Sequence, residues 1–174
     1  MKKLLAFMLA LCLLMTVALA EAAPALNWSD VEPALEAGGV AGQFYTFDEI
    51  AVKIWLPEGL DPVELSDEDK ANGYIGYFAL EDNSAAVSIV YVDVNDMSLD
   101  DYAAYLSSEA DVTEVEAGTV NGLPCVSYML PEQDVMCVTF TTEAGYALEV
   151  TCGPTSEENA ELVWGAVIAS IQPA

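Results

Sequence analysis

The sequence predicts an α+β fold, a single domain over residues 28–174 in which an antiparallel sheet is flanked by helices. About eight short segments are rich in β-branched and aromatic residues, and hairpin-type turns separate most of them. A few helical segments with capping residues at their starts interrupt these strands. The length of the chain suits one domain with a sizeable core.

The first twenty residues have the pattern of a secretory signal peptide. Lys2 and Lys3 precede an apolar run, and Ala18-Leu19-Ala20 forms a small-residue cleavage site. We therefore expect cleavage after Ala20 and a secreted, extracellular or cell-envelope location. A retained membrane anchor is the alternative, but the apolar run is short for a bilayer span. Residues 21–27 are predicted to be a flexible lead-in to the domain.

Removal of residues 1–20 would leave a very acidic chain. Lys53 and Lys70 would then stand against 29 acidic residues, a net charge of −27, and the chain holds neither arginine nor histidine. The negative electrostatic field of such a chain repels phosphate backbones and anionic lipids, which argues against nucleic acid and anionic membrane surfaces as partners. The negative charge favours cations or cationic partners. Alternatively, it only keeps the protein soluble. We expect a monomer.

The N-terminal half mixes helices and strands. The segment WSDVEPALEAGG predicts a short helix that Ser29 caps and Gly38-Gly39 ends. QFYTF and EIAVKIWLP predict two strands, and Ser66 caps a short helical segment that ends at Gly73. YIGYFAL and AAVSIVYVDV flank the turn EDNS, which predicts a hairpin.

The C-terminal half begins with a helix at about 98–109, predicted by the capping-box-like spacing of Ser98 and Asp101. VTEVEAGTV predicts a strand, and Asn121-Gly122 predicts a tight turn into a three-strand meander. The segment TSEENAELVWGAVIASI closes the chain with an amphipathic helix.

Register within the meander decides whether its three cysteines, Cys125, Cys137 and Cys152, can form a disulfide. Large apolar residues fall at alternate positions in VMCVTFTT and in YALEVTC. Both sets reach one core face only if Val138 lies opposite Val150. Cys137 and Cys152 then point to opposite faces of the sheet.

The same rule, applied to the preceding hairpin, pairs Tyr128 with Val138. It places Cys125 and Cys137 together on the face away from the core, four residues apart along the ladder, or about 13 Å. A disulfide needs α-carbons within about 7 Å, so the thiols are expected to be buried apolar fillers. A slip in the next turn would instead place Cys137 opposite Cys152 and allow a bridge.

The absence of histidine removes the commonest general base and the commonest metal ligand. We therefore expect no catalytic residue, no enzyme activity and no cofactor. Paired carboxylates can also perform hydrolysis, so a secreted carboxylate-based or cation-dependent hydrolase is the alternative function. None of the 29 acidic residues stands in a recognisable catalytic motif.

A candidate calcium site lies in DVNDMSLDD, where Asp93, Asn95, Asp96 and Asp100 supply oxygen donors at close intervals. The segment does not fit an EF-hand loop, because Ser98 stands where that loop needs glycine. Acidic residues in the first turn of a helix explain part of the pattern equally well.

Three tyrosines, Tyr74, Tyr77 and Tyr91, lie on adjacent predicted strands and are candidates for a ligand or partner surface. The same residues are equally typical of half-buried positions in a sheet.

Several stretches, taken in order, resemble the PsbP-like superfamily. They run from FYTFDEIAVKIWLPEGL, through SLDDYAAYL and VNGLPCVSYM, to FTTEAGYALEVTC and the last helix, over residues 43–172. The resemblance implies an α/β/α sandwich with helices on both faces of the sheet, so the face assigned to Cys125 and Cys137 would also be buried. Members of that superfamily are mostly non-enzymatic photosystem subunits, lipoproteins and adaptors. None of their functional residues can be matched here.

Taken together, these features predict a secreted, strongly acidic, non-catalytic interaction module whose partner is an envelope or extracellular protein. The sequence does not identify that partner.

We expect three free thiols in the mature protein when it is denatured without reductant, because the predicted register leaves no two cysteines within bonding distance. Titration with a thiol reagent in denaturant measures the number. A value of one would mean that two cysteines are bridged and that the register is wrong.

Overall fold

The computed structural model describes residues 24–47, 50–141, 146–157 and 160–174. The strands in these ranges are β1 Ala25–Leu26, β2 Gly42–Phe47, β3 Val52–Pro57, β4 Asp61–Pro62, β5 Tyr74–Ala79, β6 Ala86–Asp93, β7 Thr113–Val120, β8 Leu123–Leu130, β9 Val135–Thr141, β10 Tyr146–Gly153 and β11 Gln172–Pro173. The helices are α1 Trp28–Gly38, α2 Asp67–Ala71, α3 Leu99–Leu106 and α4 Ala160–Ala169. The predicted signal peptide at 1–20 and its cleavage site after Ala20 lie outside the described residues.

The centre of the fold is an eight-stranded sheet with the order β1-β7-β8-β9-β10-β6-β5-β4. All its neighbours are antiparallel except β1 and β7. The predicted α+β class, with an antiparallel sheet flanked by helices, is therefore confirmed. A separate three-stranded sheet, β11-β3-β2, was not part of the prediction. It forms because β11, at the far end of the chain, pairs with β3.

One face of the large sheet, the inner face, carries the main core. Val138, Val150 and Cys152 belong to it and are at most 2% exposed. Residues of α4 and of the small sheet close this core from the other side, among them Trp164 of α4 and Ile54 of β3. Burial of apolar surface here supplies most of the drive for folding.

The opposite face, the α3 face, carries a second and smaller core. Val126, Tyr128 and Cys137 of the sheet pack with Tyr102 and Leu106 of α3. Helices therefore cover both sides of the sheet, as the PsbP-like resemblance implies.

The β9–β10 register agrees with the prediction. Val138 lies opposite Val150, Cys137 lies opposite Thr151, and Cys152 lies opposite Met136. The three cysteines are free and buried, and no bridge joins Cys137 to Cys152. The predicted three-residue turn between these strands lies outside the described residues.

The predicted β8–β9 register is wrong by one residue. Ser127, rather than Tyr128, lies opposite Val138. Cys125 therefore lies on the inner face, and Cys137 lies on the α3 face. The error arises because both faces of β8 are buried, so large side chains alternate with other apolar ones and do not identify the main core.

The segment predicted as a flexible lead-in, 21–27, is paired where the structure describes it. β1 runs parallel to the end of β7, and the N–H of Thr119 donates to the carbonyl of Pro24 over 2.9 Å. A Cβ at Gly118 would lie 2.8 Å from that carbonyl oxygen, so the close approach requires glycine.

Side chains at the helix starts mostly agree with the predicted caps. Ser66 accepts a hydrogen bond at the start of α2, and Ser98 does so at the start of α3. Helix α1 instead begins after Asn27, two residues before the predicted cap at Ser29, and it ends at Gly39 in the left-handed conformation.

Asn121 joins three parts of the fold. It occupies the β7–β8 turn with a φ of 48°, followed by Gly122 at 79°. Its side-chain amide donates to the carbonyls of Ala169 (2.7 Å) and Ile171 (2.8 Å), and its oxygen accepts from the N–H of Trp28 (2.9 Å). One side chain thus ties the turn to the start of α1 and the end of α4.

We expect Asn121→Gly to lower the free energy of unfolding by about 2–4 kcal/mol, since it removes three partly buried hydrogen bonds and leaves their partners unsatisfied. Glycine tolerates the positive φ, so the turn itself is preserved. Urea unfolding measures the loss.

The matched control is Asn95→Gly, a second asparagine with positive φ (51°) that is exposed. It should change stability little. If the two variants lose equal free energy of unfolding, the side-chain hydrogen bonds of Asn121 contribute nothing beyond its backbone conformation.

Candidate functional site

A cleft of about 690 Å³ opens beside α2, at the ends of β6 and β10. We call it the tyrosine cleft. The residues that line it include Tyr91, Tyr146, Asp93, Lys70, Asn72 and Ile75. The cleft thus combines two aromatic rings, one carboxylate and one ammonium group with an apolar wall.

Gly73 fixes one wall of the tyrosine cleft. The N–H of Tyr91 donates to the carbonyl of Gly73 over 2.8 Å, so the second residue after α2 continues the β5–β6 ladder. Gly73 has a φ of +89°, and a Cβ there would lie 2.5 Å from the carbonyl oxygen of Tyr91. The chain can approach β6 this closely only with glycine.

The two tyrosine rings are stacked, with centroids 5.2 Å apart and planes at 11°. Cross-strand pairing produces this arrangement. Tyr91 lies opposite Leu148 and Asp93 lies opposite Tyr146, so both rings lie on the same side of adjacent strands. Tyr146 remains 40% exposed. The pair offers an aromatic surface to the solvent next to a carboxylate.

Asp93 is held at the rim of the cleft by a local turn. Its Oδ1 accepts from the N–H of Asn95 over 2.8 Å. A carboxylate can accept several hydrogen bonds, so this one contact does not use all of its acceptor capacity.

A second cavity, of about 310 Å³, adjoins the tyrosine cleft. The two cavities share Ile50 and Tyr91. The second is mostly apolar, with Phe140, Leu148 and Ile171 in its lining. An elongated ligand with one charged end and an apolar part would find both chemistries side by side.

The structure divides the predicted tyrosine surface. Tyr74 lies opposite Val90 and Tyr77 lies opposite Ser88, which places both on the α3 face. Tyr91 packs against the inner core instead. The prediction that these three tyrosines form one surface is therefore wrong. Tyr91 follows Val90, the partner of Tyr74, and successive residues of β6 point to opposite faces. A β-bulge between Tyr74 and Gly76 brings Tyr74 to the same face as Tyr77.

The candidate calcium residues serve the turn from β6 to α3. Asn95 and Asp96 have left-handed φ values of 51° and 57°. Asp93 accepts from the backbone of that turn, and Asp100 lies in the first turn of α3. Among the described residues, no group of three or more acidic or cysteine side chains is arranged to hold a metal ion.

A polar cluster lies beneath α3, and it was not predicted. The hydroxyl of Tyr128 donates to Oε2 of Glu149 over 2.5 Å, and that of Thr139 donates to the same oxygen over 3.3 Å. On the next ladder position, Sγ of Cys137 lies 3.4 Å from Oγ1 of Thr151. The members come from three strands, so only the full register brings them together.

The phenol and the thiol of this cluster keep their protons at neutral pH. Burial, and then the carboxylate of Glu149, raise the pKa of Tyr128 far above its ordinary value. Burial likewise raises the pKa of Cys137 to about 11. A thiol with such a pKa is protonated at neutral pH and is a poor nucleophile. The groups that hydrogen-bond to Glu149 are hydroxyls, as in a structural network.

In the part of the chain that the structure describes, no helix is long and apolar enough to cross a membrane.

Comparison with known proteins identifies a fold but no family. No family model and no curated protein matches the chain. The solution structure of cyanobacterial PsbP (CyanoP) from Synechocystis sp. PCC 6803 is similar, with a TM-score of 0.53 and 13% sequence identity. The match covers 78% of this chain and 94% of that chain. The fold is therefore PsbP-like, and at this identity the similarity concerns the fold alone.

We expect the protein to lose stability at alkaline pH, because its buried thiols keep their protons in the fold. The pKa of Cys137 is about 11 in the folded protein, against 9.0 for a solvent-exposed cysteine thiol. A pKa raised by folding gives stability that is complete below pH 9 and is lost as the pH rises towards 11. The free energy of unfolding should fall by about 1.4 kcal/mol per pH unit for each such thiol.

Urea unfolding between pH 7 and pH 11 measures this dependence. Cys137→Ala removes one ionising thiol, so its stability should fall less steeply above pH 9 than that of the original protein. Parallel curves for the two proteins would contradict the assignment.

Proposed function

We propose that the protein is an extracytoplasmic, non-catalytic binding module that holds a cationic segment of an envelope or extracellular protein in the tyrosine cleft. The observation that carries the proposal is the stacked pair Tyr91 and Tyr146 beside Asp93 in a cleft of about 690 Å³.

The chemistry of the cleft favours a lysine or arginine side chain. A cation over the face of a tyrosine ring gains about 0.5–1 kcal/mol at an exposed site. An exposed ion pair with Asp93 adds about 0–1 kcal/mol. Neither contact suffices for specific binding alone, so the occupant has further contacts. The adjoining apolar cavity suits the aliphatic part of such a segment.

The charge of the chain supports a cationic partner. Twenty-nine acidic residues create a negative field that speeds the encounter with cations and repels nucleic acids and anionic membranes. The same field opposes association between copies, which favours a monomer. Lys70 lines the cleft and repels a second cation there, so it would fix how the segment lies.

An extracytoplasmic location is supported by the signal-peptide pattern of residues 1–20. The lack of histidine and the hydroxyl partners of Glu149 support a binding role over a hydrolytic one.

A labelled peptide of alternating lysine and leucine tests the proposal by fluorescence anisotropy, with the lysine-acetylated peptide as its uncharged counterpart. We expect the cationic peptide to bind at least about tenfold more tightly. Tyr146→Ala should weaken that binding about two- to fivefold, because it removes the exposed ring without changing charge. Tyr105→Ala, which removes a 49% exposed ring on α3, is the matched control and should bind normally.

Asp93→Asn tests the carboxylate. Asparagine keeps an oxygen for the N–H of Asn95, so the turn survives while the charge is lost. It should weaken peptide binding more than Asp111→Asn, which removes an exposed charge elsewhere. If Tyr146→Ala, Tyr105→Ala, Asp93→Asn and Asp111→Asn all bind the peptide equally, the net negative charge of the protein attracts the peptide without a specific site, and the tyrosine cleft is not the binding site.

A further inference from the structure

We propose that the protein has a second binding site, a groove on the α3 face that takes an uncharged saccharide. The groove has a volume of about 330 Å³. We call it the hydroxyl groove. Its polar lining consists of Tyr77, Asn83, Ser84, Ser88, Gln133 and Thr151.

Strand register builds the floor of the hydroxyl groove. Tyr77 lies opposite Ser88, and Ser88 lies opposite Thr151. Residues opposite each other share a face, so three hydroxyl-bearing side chains form one row across β5, β6 and β10, with strands about 4.8 Å apart. Helix α3 packs mainly on β7 and β8, which leaves this part of the face uncovered.

Two turns form the walls. The β5–β6 turn contributes Asn83 and Ser84, and the β8–β9 turn contributes Gln133. Gly153 lets the β8–β9 turn approach the end of β10, because a Cβ there would lie 2.6 Å from Cγ1 of Val135 and 2.9 Å from the carbonyl oxygen of Asp134.

None of the described residues that line the hydroxyl groove is charged, although the chain carries 29 acids. Asp82 and Asp134 belong to the two bordering turns but do not line it. Oδ1 of Asp82 accepts from the N–H (3.0 Å) and hydroxyl (2.6 Å) of Ser84. Oδ1 of Asp134 accepts from the N–H groups of Thr155 (3.1 Å) and Ser156 (2.9 Å). The two carboxylates thus stabilise the bordering turns and do not line the groove. The groove therefore suits an uncharged ligand.

The lining favours a saccharide among uncharged ligands. Hydroxyl and amide groups both donate and accept hydrogen bonds, which matches a molecule covered with hydroxyls. The ring of Tyr77 offers an aromatic surface to the C–H face of a sugar. An extended peptide would instead need a free strand edge or a deep apolar pocket. The edge of β5 at this point is taken, because the N–H of Val63 donates to the carbonyl of Tyr77 over 2.8 Å.

Backbone NMR with the full mature chain tests this site. The probes are three neutral tetrasaccharides (cellotetraose, maltotetraose and chitotetraose), the anionic tetragalacturonate, and an uncharged peptide of serine, glycine and glutamine. We expect at least one neutral tetrasaccharide at millimolar concentration to shift the amide signals of residues 83–88 and 151–153. Tetragalacturonate and the peptide should not shift them.

Asn83→Gly is the decisive variant. Asn83 has a φ of 58°, which glycine accepts, so the change removes the amide and preserves the turn. We expect the saccharide to bind about tenfold more weakly. Asn95→Gly, at another position with positive φ outside the groove, should bind normally.

Three results would overturn the proposal: no shift in these amides with any neutral tetrasaccharide, shifts with the peptide alone, or equal binding by the two asparagine variants. Tyr146→Ala should leave saccharide binding unchanged. The hydroxyl groove and the tyrosine cleft can therefore fail independently.

Discussion

The pairing of β9 with β10, with Val138 opposite Val150, is the constraint on which the rest of the structure depends. A shift by one residue would exchange the two faces of a strand, and here each face has a different use. The present register sends Leu148 and Val150 to the main core and leaves Glu149 and Thr151 beneath and beside α3. Both proposed sites also depend on the pairing of β10 with β6 on its other edge, which stacks Tyr146 on Tyr91 and brings Thr151 into the hydroxyl row.

The two proposed sites divide the chemistry of the molecule between them. The tyrosine cleft uses the net negative charge, since a carboxylate stands beside an aromatic pair and the field of the whole chain draws cations to it. The hydroxyl groove excludes charge and offers donors and acceptors of moderate strength. A protein that holds a cationic segment and an uncharged saccharide on different faces would bridge the two. Such bridging would tether a partner protein to a carbohydrate-bearing surface, and it needs no catalytic group.

Local features of the fold were predictable from the sequence, and long-range features were not. Ser66 and Ser98 cap their helices because a hydroxyl just before the first turn satisfies its free N–H groups, a relation that spans three residues. The alternation in β9 and β10 sufficed because one face of each is distinctly more apolar. In β8 both faces are buried, so alternation gave the wrong register. The stacking of Tyr91 on Tyr146 depends on β6 pairing with β10 across more than 50 residues, and no local pattern encodes that pairing.

Deamidation of Asn121 would affect the stability of the fold. Asparagine is among the residues most prone to thermal damage, and this one precedes glycine in the β7–β8 turn. Hydrolysis of its amide would replace an N–H donor with a negative oxygen facing two backbone carbonyls, those of Ala169 and Ile171. Attraction would become repulsion where the end of α4 meets the turn. Deamidation of this one side chain would then shorten the time for which the purified protein keeps its full stability.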